Sequence, residues 1–354
     1  MRLLLPPSER AAFASLSATF AANHRILTLY ARYLNENPTL VTKELIEELT
    51  GACAVSPAEA FAAILSAAFD LDEEGSEADA RLFHEYIAPS VFLCDPSRYQ
   101  SDPYFRNIRV PEKKRDTWSL THATYAPYEG FVCGHFGKGR APFCEIPPIG
   151  FFAERFSFPA VKEGGQEWMA IKPNEIETMR APLAGAHGRV LTYGLGLGYF
   201  TYMAAACERV SSVTVVERDE AVISLFRDEI LPQFSHPEKV RILQADALDY
   251  AETEAKATDY DFVFADLWHD TGDGLPLYLR LKRAERTDRR TAYAYWIEDQ
   301  LLSALRALIF EGLASGEGAP METDRAIRSI CELTHLLSDE SLRALSRGIR
   351  PAQM

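Results

Sequence analysis

From Arg189 onward the chain alternates strand and helix, and that alternation limits the fold more than any other feature of its 354 residues. The segments "RVLTYG", "SVTVVER", "VRILQAD" and "DYDFVFADLW" are short apolar runs rich in β-branched residues. Between them, "FTYMAAACER" and "DEAVISLFRDEILPQF" place apolar residues at helical spacing. A strand that is apolar on both faces is buried on both, and strands joined through helices run parallel. The pattern predicts an α/β fold with a Rossmann-like, doubly wound sheet. In such a sheet the ligand site lies beyond the carboxyl ends of the strands.

The first strand ends in "YGLGLGYF", with Gly194, Gly196 and Gly198 at every second position. A bare turn of this kind lets the backbone approach a ligand, and the helix that follows offers free N–H groups. Glu217 ends the second strand, where a carboxylate can accept two hydrogen bonds from a ribose diol. Asp246 follows the third strand and can accept from an exocyclic amine, while the small Ala247 leaves room for a ring. Asp266 ends the fourth. A dinucleotide-binding turn would read G-x-G-x-x-G, but Tyr199 stands at the third place.

This ordered set resembles the class I S-adenosylmethionine-dependent methyltransferases, and within them it is most similar to the spermidine synthase group. "VLTYGLGLG", "VTVVERD", "ILQADALDY" and "YDFVFADL" carry the resemblance, together with "NEIETMRAPLAG" before the glycines. It implies S-adenosyl-L-methionine as cofactor, held by Tyr193, Gly194, Gly196, Gly198, Glu217, Arg218, Asp246, Ala247 and Asp266. It also implies a methyl acceptor beside "ADLWHD", with a small molecule favoured. There Asp266 would orient the acceptor or hold the cofactor's ammonium. His269 would take a proton near neutral pH, and Trp268 would wall the pocket or sit under a cation. Core packing for Trp268 and a surface loop position for His269 are the alternatives. Asp270 and Asp273 read as solvated loop carboxylates.

Two positions depart from the pattern. The spermidine synthase group carries two aspartates three apart, followed by proline, where this chain has Asp266, then His269 and Asp270. Many methyltransferases end the first strand with an acid, where this chain has Thr192. Methyl transfer is therefore the first reading. Aminopropyl transfer is an alternative, and so is a non-catalytic interaction protein that keeps the core.

The remainder divides by composition. Residues 1–95 read as a cluster of helices, with Ser56 and Pro57 opening one of them. This cluster is also a candidate homodimer surface. Residues 96–118, rich in proline and charge, read as a linker. Residues 119–180 read as a small β-element followed by a helix, 181–315 as the cofactor domain, and 316–354 as C-terminal helices. "RTAYAYWIEDQLLSALRALIFEGLA" reads as one helical run, with no closing strands evident after Trp268. His135, Lys138 and Arg140 in "GHFGKGR" read as a hairpin tip or an anion grip.

A net charge of −14 argues against nucleic acid as a partner. The six scattered cysteines form no CxxC pair. Cys133, His135 and Cys144 lack a fourth ligand at any metal-site spacing, so no metal is expected. No apolar run reaches about 18 residues, and "MRLLLPPSER" is not a signal peptide, so a cytoplasmic location without membrane contact is expected.

Overall fold

The computed structural model describes residues 1–138, 142–257, 260–286, 290–316 and 326–349. Arg140 lies outside them, as does much of the segment "METDRA". The chain forms two compact units. One comprises Met1–Leu4, Tyr99–Ala123 and Phe158–Met354, and the other Leu5–Arg98 and Thr124–Ser157.

The first unit holds a five-stranded parallel sheet. Its strands are β1 (Gly188–Tyr193), β2 (Val210–Glu217), β3 (Val240–Gln244), β4 (Phe262–Ala265) and β5 (Ala292–Tyr295), in the order β3-β2-β1-β4-β5. This is the Rossmann-like, doubly wound order. The chain reverses direction across the sheet beside β1, which opens the crevice at the ends of β1 and β4. Val190, Leu191, Val213, Val215, Val216 and Phe264 are all fully buried, as expected of strands covered on both faces. The covering helices are α1 (Pro173–Gly185), α2 (Tyr199–Ala206), α3 (Glu220–Leu225), α4 (Ala247–Glu252), α5 (Thr271–Ala284) and α6 (Glu298–Ser315).

Two expectations in this unit are corrected. The run from Thr291 is not one helix: Ala292–Tyr295 pairs with β4 in parallel, and α6 starts only after Ile297, whose φ of +49° breaks the chain direction. Its alanines and tyrosines suit either element, and the free edge of β4 decides. Residues 96–118 are not a plain linker. They hold short helices at Pro96–Gln100 and Pro103–Asn107 and a strand at Lys113–Arg115. Proline opens both helices, Asp102 caps the second, and Tyr104 is fully buried.

A further sheet is ordered Gln166–Ala170, Phe156–Glu163, Trp118–Tyr125, Lys113–Arg115. Its first pair is antiparallel, with a register shift between Glu167 and Met169. A network of buried charge ties α5, α6 and the helix Asp339–Ser346. Lys282 meets Glu285 at 2.6 Å, Tyr295 donates to Glu285, and Arg343 reaches Glu298 at 2.8 Å.

In the second unit the helices Arg10–Glu36, Lys43–Cys53 and Pro57–Ala68 share one core with residues of 124–157. Phe61 stacks on Phe151 at 4.3 Å, and Ile149 is fully buried beside them. Ser56 and Glu59 form a reciprocal cap at the start of the third helix. Among the described residues no single helix is long and apolar enough to cross a membrane.

Candidate functional site

The glycines are needed by the protein's own backbone. All three have positive φ: +91° at Gly194, +50° at Gly196 and +73° at Gly198. A Cβ on Gly194 would lie 2.1 Å from the backbone oxygen of Asp266, and one on Gly198 would lie 2.2 Å from the ring of Phe226. At Gly196 the neighbour is Met169, 3.1 Å away at its flexible end. What comes close to this backbone is first the end of β4, then α3's continuation, then a methionine. The turn that results is held from several sides. Gly194 N–H donates to Val216 O, and the fully buried Tyr104 donates its hydroxyl to Leu197 O at 2.6 Å. The N–H groups of Gly196 and Leu197 find no acceptor among the described residues.

Glu217, half-buried at the end of β2, braces this turn. Its carboxylate accepts from the N–H groups of Leu195 (3.2 Å), Arg218 (2.8 Å) and Asp219 (2.9 Å). A carboxylate has about four lone-pair sites, so one direction is left for a ligand. Arg218 is exposed beside it. Asp246 is exposed and caps α4 with one oxygen, accepting from Leu248 and Asp249 N–H, while Ala247 is buried. The side chain of Tyr193 lines a cavity with Ala251, Tyr260, Tyr293 and Tyr295.

Asp266 leaves β4 half-buried, and desolvation pushes its carboxyl up to about 7. Its neighbour is Glu175, in the first turn of α1 and 6% exposed. Burial first, and the charge of Asp266 second, push Glu175 well above the usual carboxylate range against the pull of Lys172. Neither carboxyl group has a hydrogen-bond or ion-pair partner among the described residues. Two further atoms, on residues next to these in sequence, are buried without partners: Asn174 Oδ1 and Trp268 Nε1. By contrast Trp296 Nε1 donates to Thr178 Oγ1 at 2.9 Å.

Glu175 was not among the residues singled out in the sequence, although a signal exists. Glu175, Ile176, Met179 and Pro182 lie together on the buried stripe of α1, so an acid stands on an apolar face.

Trp268 is 5% exposed and packed against Gly274. His269 is exposed, with Nδ1 2.9 Å from Asp273 Oδ2 and its ring edge-on to Trp168 at 4.3 Å. Asp270 and Asp273 are not simply solvated. They form the reciprocal cap of α5, because a helix start needs acceptors for its free N–H groups. Among the described residues no group of three or more His, Cys, Asp or Glu could hold a metal.

No family model matches the chain, and no curated protein matches it. Solved structures do. Spermidine synthase from Thermotoga maritima is 14% identical, with a TM-score of 0.30 over 46% of this chain. The matched part spans 60% of that enzyme's length. A Klebsiella pneumoniae protein provisionally described as an O-methyltransferase is 24% identical over 28% of this chain and 44% of its own, with a TM-score of 0.22. Precorrin 8W decarboxylase of Methanobacterium thermoautotrophicum is 22% identical over 37% and 58%, with a TM-score of 0.24. The sheet order and the glycine turn, rather than these superpositions, define the doubly wound, Rossmann-like fold.

Proposed function

We propose that this protein transfers a methyl group from S-adenosyl-L-methionine to a small molecule that presents an amine. The uncompensated carboxyl pair of Glu175 and Asp266, beside the glycine turn, is the observation that carries this reading. A buried carboxylate without a partner costs several kcal/mol. Such a cost is kept where a ligand repays it, and titrating groups shifted by desolvation cluster at functional sites. An ammonium and its N–H donors would satisfy both carboxyl groups and the orphaned Asn174 oxygen. The Trp268 indole N–H would donate to a second polar atom of the same molecule.

The cofactor, when bound, supplies an electrophilic methyl group on a sulfonium. The chain's residues do the rest. The turn at Gly194, Gly196 and Gly198 offers its free N–H groups, Glu217 its remaining lone-pair direction, and Asp246 its second oxygen. Ala247 leaves space, and Arg218 and Tyr193 flank the turn. Asp266 and Glu175 orient the amine, and His269 takes its proton. Alignment and proton removal are the main demands of such a displacement.

Aminopropyl transfer is the second reading, and one observation favours it. The same acidic pair would repel a carboxylate on the cofactor, so a decarboxylated cofactor would sit there more easily. Calorimetric titration with S-adenosylmethionine and with its decarboxylated form separates the two. Tighter binding of the intact cofactor, with S-adenosylhomocysteine released in the presence of ethanolamine or putrescine, supports methyl transfer. The reverse preference supports the second reading. Folded protein that binds neither points instead to a non-catalytic interaction protein. Asp246→Ala is the better binding variant, because Glu217→Ala also removes the brace of the turn.

A further inference from the structure

Strand Gln166–Ala170 reaches both halves of the candidate site with two consecutive side chains. Met169 lies against Gly196 in the glycine turn, and Trp168 lies edge-on against His269. In a regular strand neighbouring residues face opposite ways. Here the pairing with Phe156–Glu163 slips between Glu167 and Met169, a bulge that re-aims Trp168. His269 is therefore one strand residue away from the turn, not a remote surface histidine.

Its ring is held on two sides. The edge contact with Trp168 is at 4.3 Å and 81° between planes. Nδ1 lies 2.9 Å from Asp273 Oδ2, and Asp273 is itself fixed by the backbone N–H groups of His269 (3.1 Å) and Asp270 (3.0 Å). Trp168 is fixed in turn by an edge contact with Trp118, whose Nε1 donates to Asp219 at 3.0 Å. A carboxylate only accepts, so Nδ1 must carry the ring proton. In a neutral imidazole that leaves Nε2 with its lone pair free.

We propose that Asp273 and Trp168 are positioning residues that hold His269 in the Nδ1–H tautomer, with Nε2 as the proton acceptor for the substrate. This rests on the transferase reading above. The step balances simply. The acceptor's N–H bond breaks, an Nε2–H bond forms, and the electron pair stays on the acceptor nitrogen. The imidazolium that results is neutralised by Asp273, which takes no proton itself. Although partial burial pushes the Asp273 carboxyl up, hydrogen bonds from the His269 ring and from the N–H groups of Asp270 and His269 outweigh it and hold the group below its ordinary value. It therefore remains an acceptor through the neutral range.

The test uses the full chain labelled with ¹⁵N-histidine. Its imidazole nitrogen shifts at pH 8 report the tautomer without any ligand. The expected result is Nδ1–H for His269, lost in Asp273→Ala and regained in Asp273→Glu, which keeps a carboxylate at a cap position that suits glutamate. Asp270→Ala is the control, since it weakens the same cap and should leave the tautomer alone. Turnover with S-adenosylmethionine and ethanolamine or putrescine should fall roughly 10-fold in Asp273→Ala, and less in Trp168→Phe, at unchanged cofactor affinity. An Nε2–H tautomer in the unsubstituted protein, or a tautomer indifferent to Asp273→Ala, overturns the proposal. So does undiminished turnover of Asp273→Ala. Failure to bind either S-adenosylmethionine or its decarboxylated form would defeat the transferase reading instead, and the tautomer would still decide the positioning.

Discussion

The glycine turn and the acidic pocket beside it are built on opposite principles. In the turn, backbone conformation, hydrogen bonds and packing agree. Three positive-φ residues are glycine, Glu217 accepts three N–H groups, and Tyr104 closes the far side. In the pocket, two neighbouring carboxyl groups stand without an ion-pair partner, and on residues next to them in sequence the Asn174 amide oxygen and the Trp268 indole N–H are buried and unpaired. Such local conflict is expected where a protein gives up stability for function. The two regions should therefore respond to substitution with opposite signs.

The largest effect belongs to the turn. Gly194→Ala forces a Cβ to within 2.1 Å of a backbone oxygen at a φ of +91°. That neighbour cannot swing away, because the N–H of the same residue, Asp266, is bonded to Tyr193 O. Strain and clash together should cost roughly 3 kcal/mol or more. Gly164 also has positive φ, at +58°, but a Cβ there meets nothing within 4 Å. Gly164→Ala should cost about 1 kcal/mol, the left-handed penalty alone. Urea denaturation of both variants measures the gap, and equal midpoints would show that the turn is not the rigid element described here.

The pocket should show the reverse sign, and only in one pH window. Asp266 has its carboxyl pushed up to about 7, so the fold favours its protonated form. The stabilisation this contributes is complete below the unfolded carboxylate value of about 4 and lost as pH rises through about 7. Relative to Asp266→Asn, which stays neutral, the unsubstituted protein should lose on the order of 2–4 kcal/mol between those limits. The substitution should be close to neutral at pH 4 and stabilising at pH 8. Putrescine should narrow the difference at pH 8 by pairing with the carboxylates. A gap that is the same at both pH values would mean that Asp266 is not held neutral by its surroundings.

The same contrast explains what could be read without coordinates. The sheet was legible because β1 to β4 are short segments dominated by apolar and β-branched residues, and the glycines were legible because only one residue type fits three left-handed positions. Glu175 was hidden because its importance comes from Asp266, which is remote in sequence. The strand Ala292–Tyr295 was hidden because alanine and tyrosine accept a helix as readily, and only the open edge of β4 selects otherwise. Residues 96–118 read as a linker because they are rich in proline and charge, yet one tyrosine in the segment reaches a carbonyl of the glycine turn. The paired roles of Asp270 and Asp273 were also missed. The capping relation was present in their spacing, but no start for α5 had been assigned. Except for this local cap, the missing information was in each case a tertiary contact rather than a local preference.

The smallest effect gives the finest test of the comparison. Trp268 and Trp296 are both 5% exposed and differ in one respect. The indole N–H of Trp296 is bonded to Thr178, and that of Trp268 has no partner. Replacing either with phenylalanine removes the same volume, so the packing losses should be similar. Trp296→Phe also forfeits a made hydrogen bond, while Trp268→Phe removes a donor that the fold had desolvated for nothing. Trp296→Phe should therefore be the less stable of the two by roughly 1–3 kcal/mol, read as a difference in thermal or urea midpoints. If the unpaired N–H is kept for a ligand, Trp268→Phe should weaken amine binding despite its milder effect on stability, whereas Trp296→Phe should leave binding closer to that of the unsubstituted protein. Equal stabilities would mean that the Trp268 N–H is satisfied by water, and the pocket would then be less frustrated than the turn beside it makes it look.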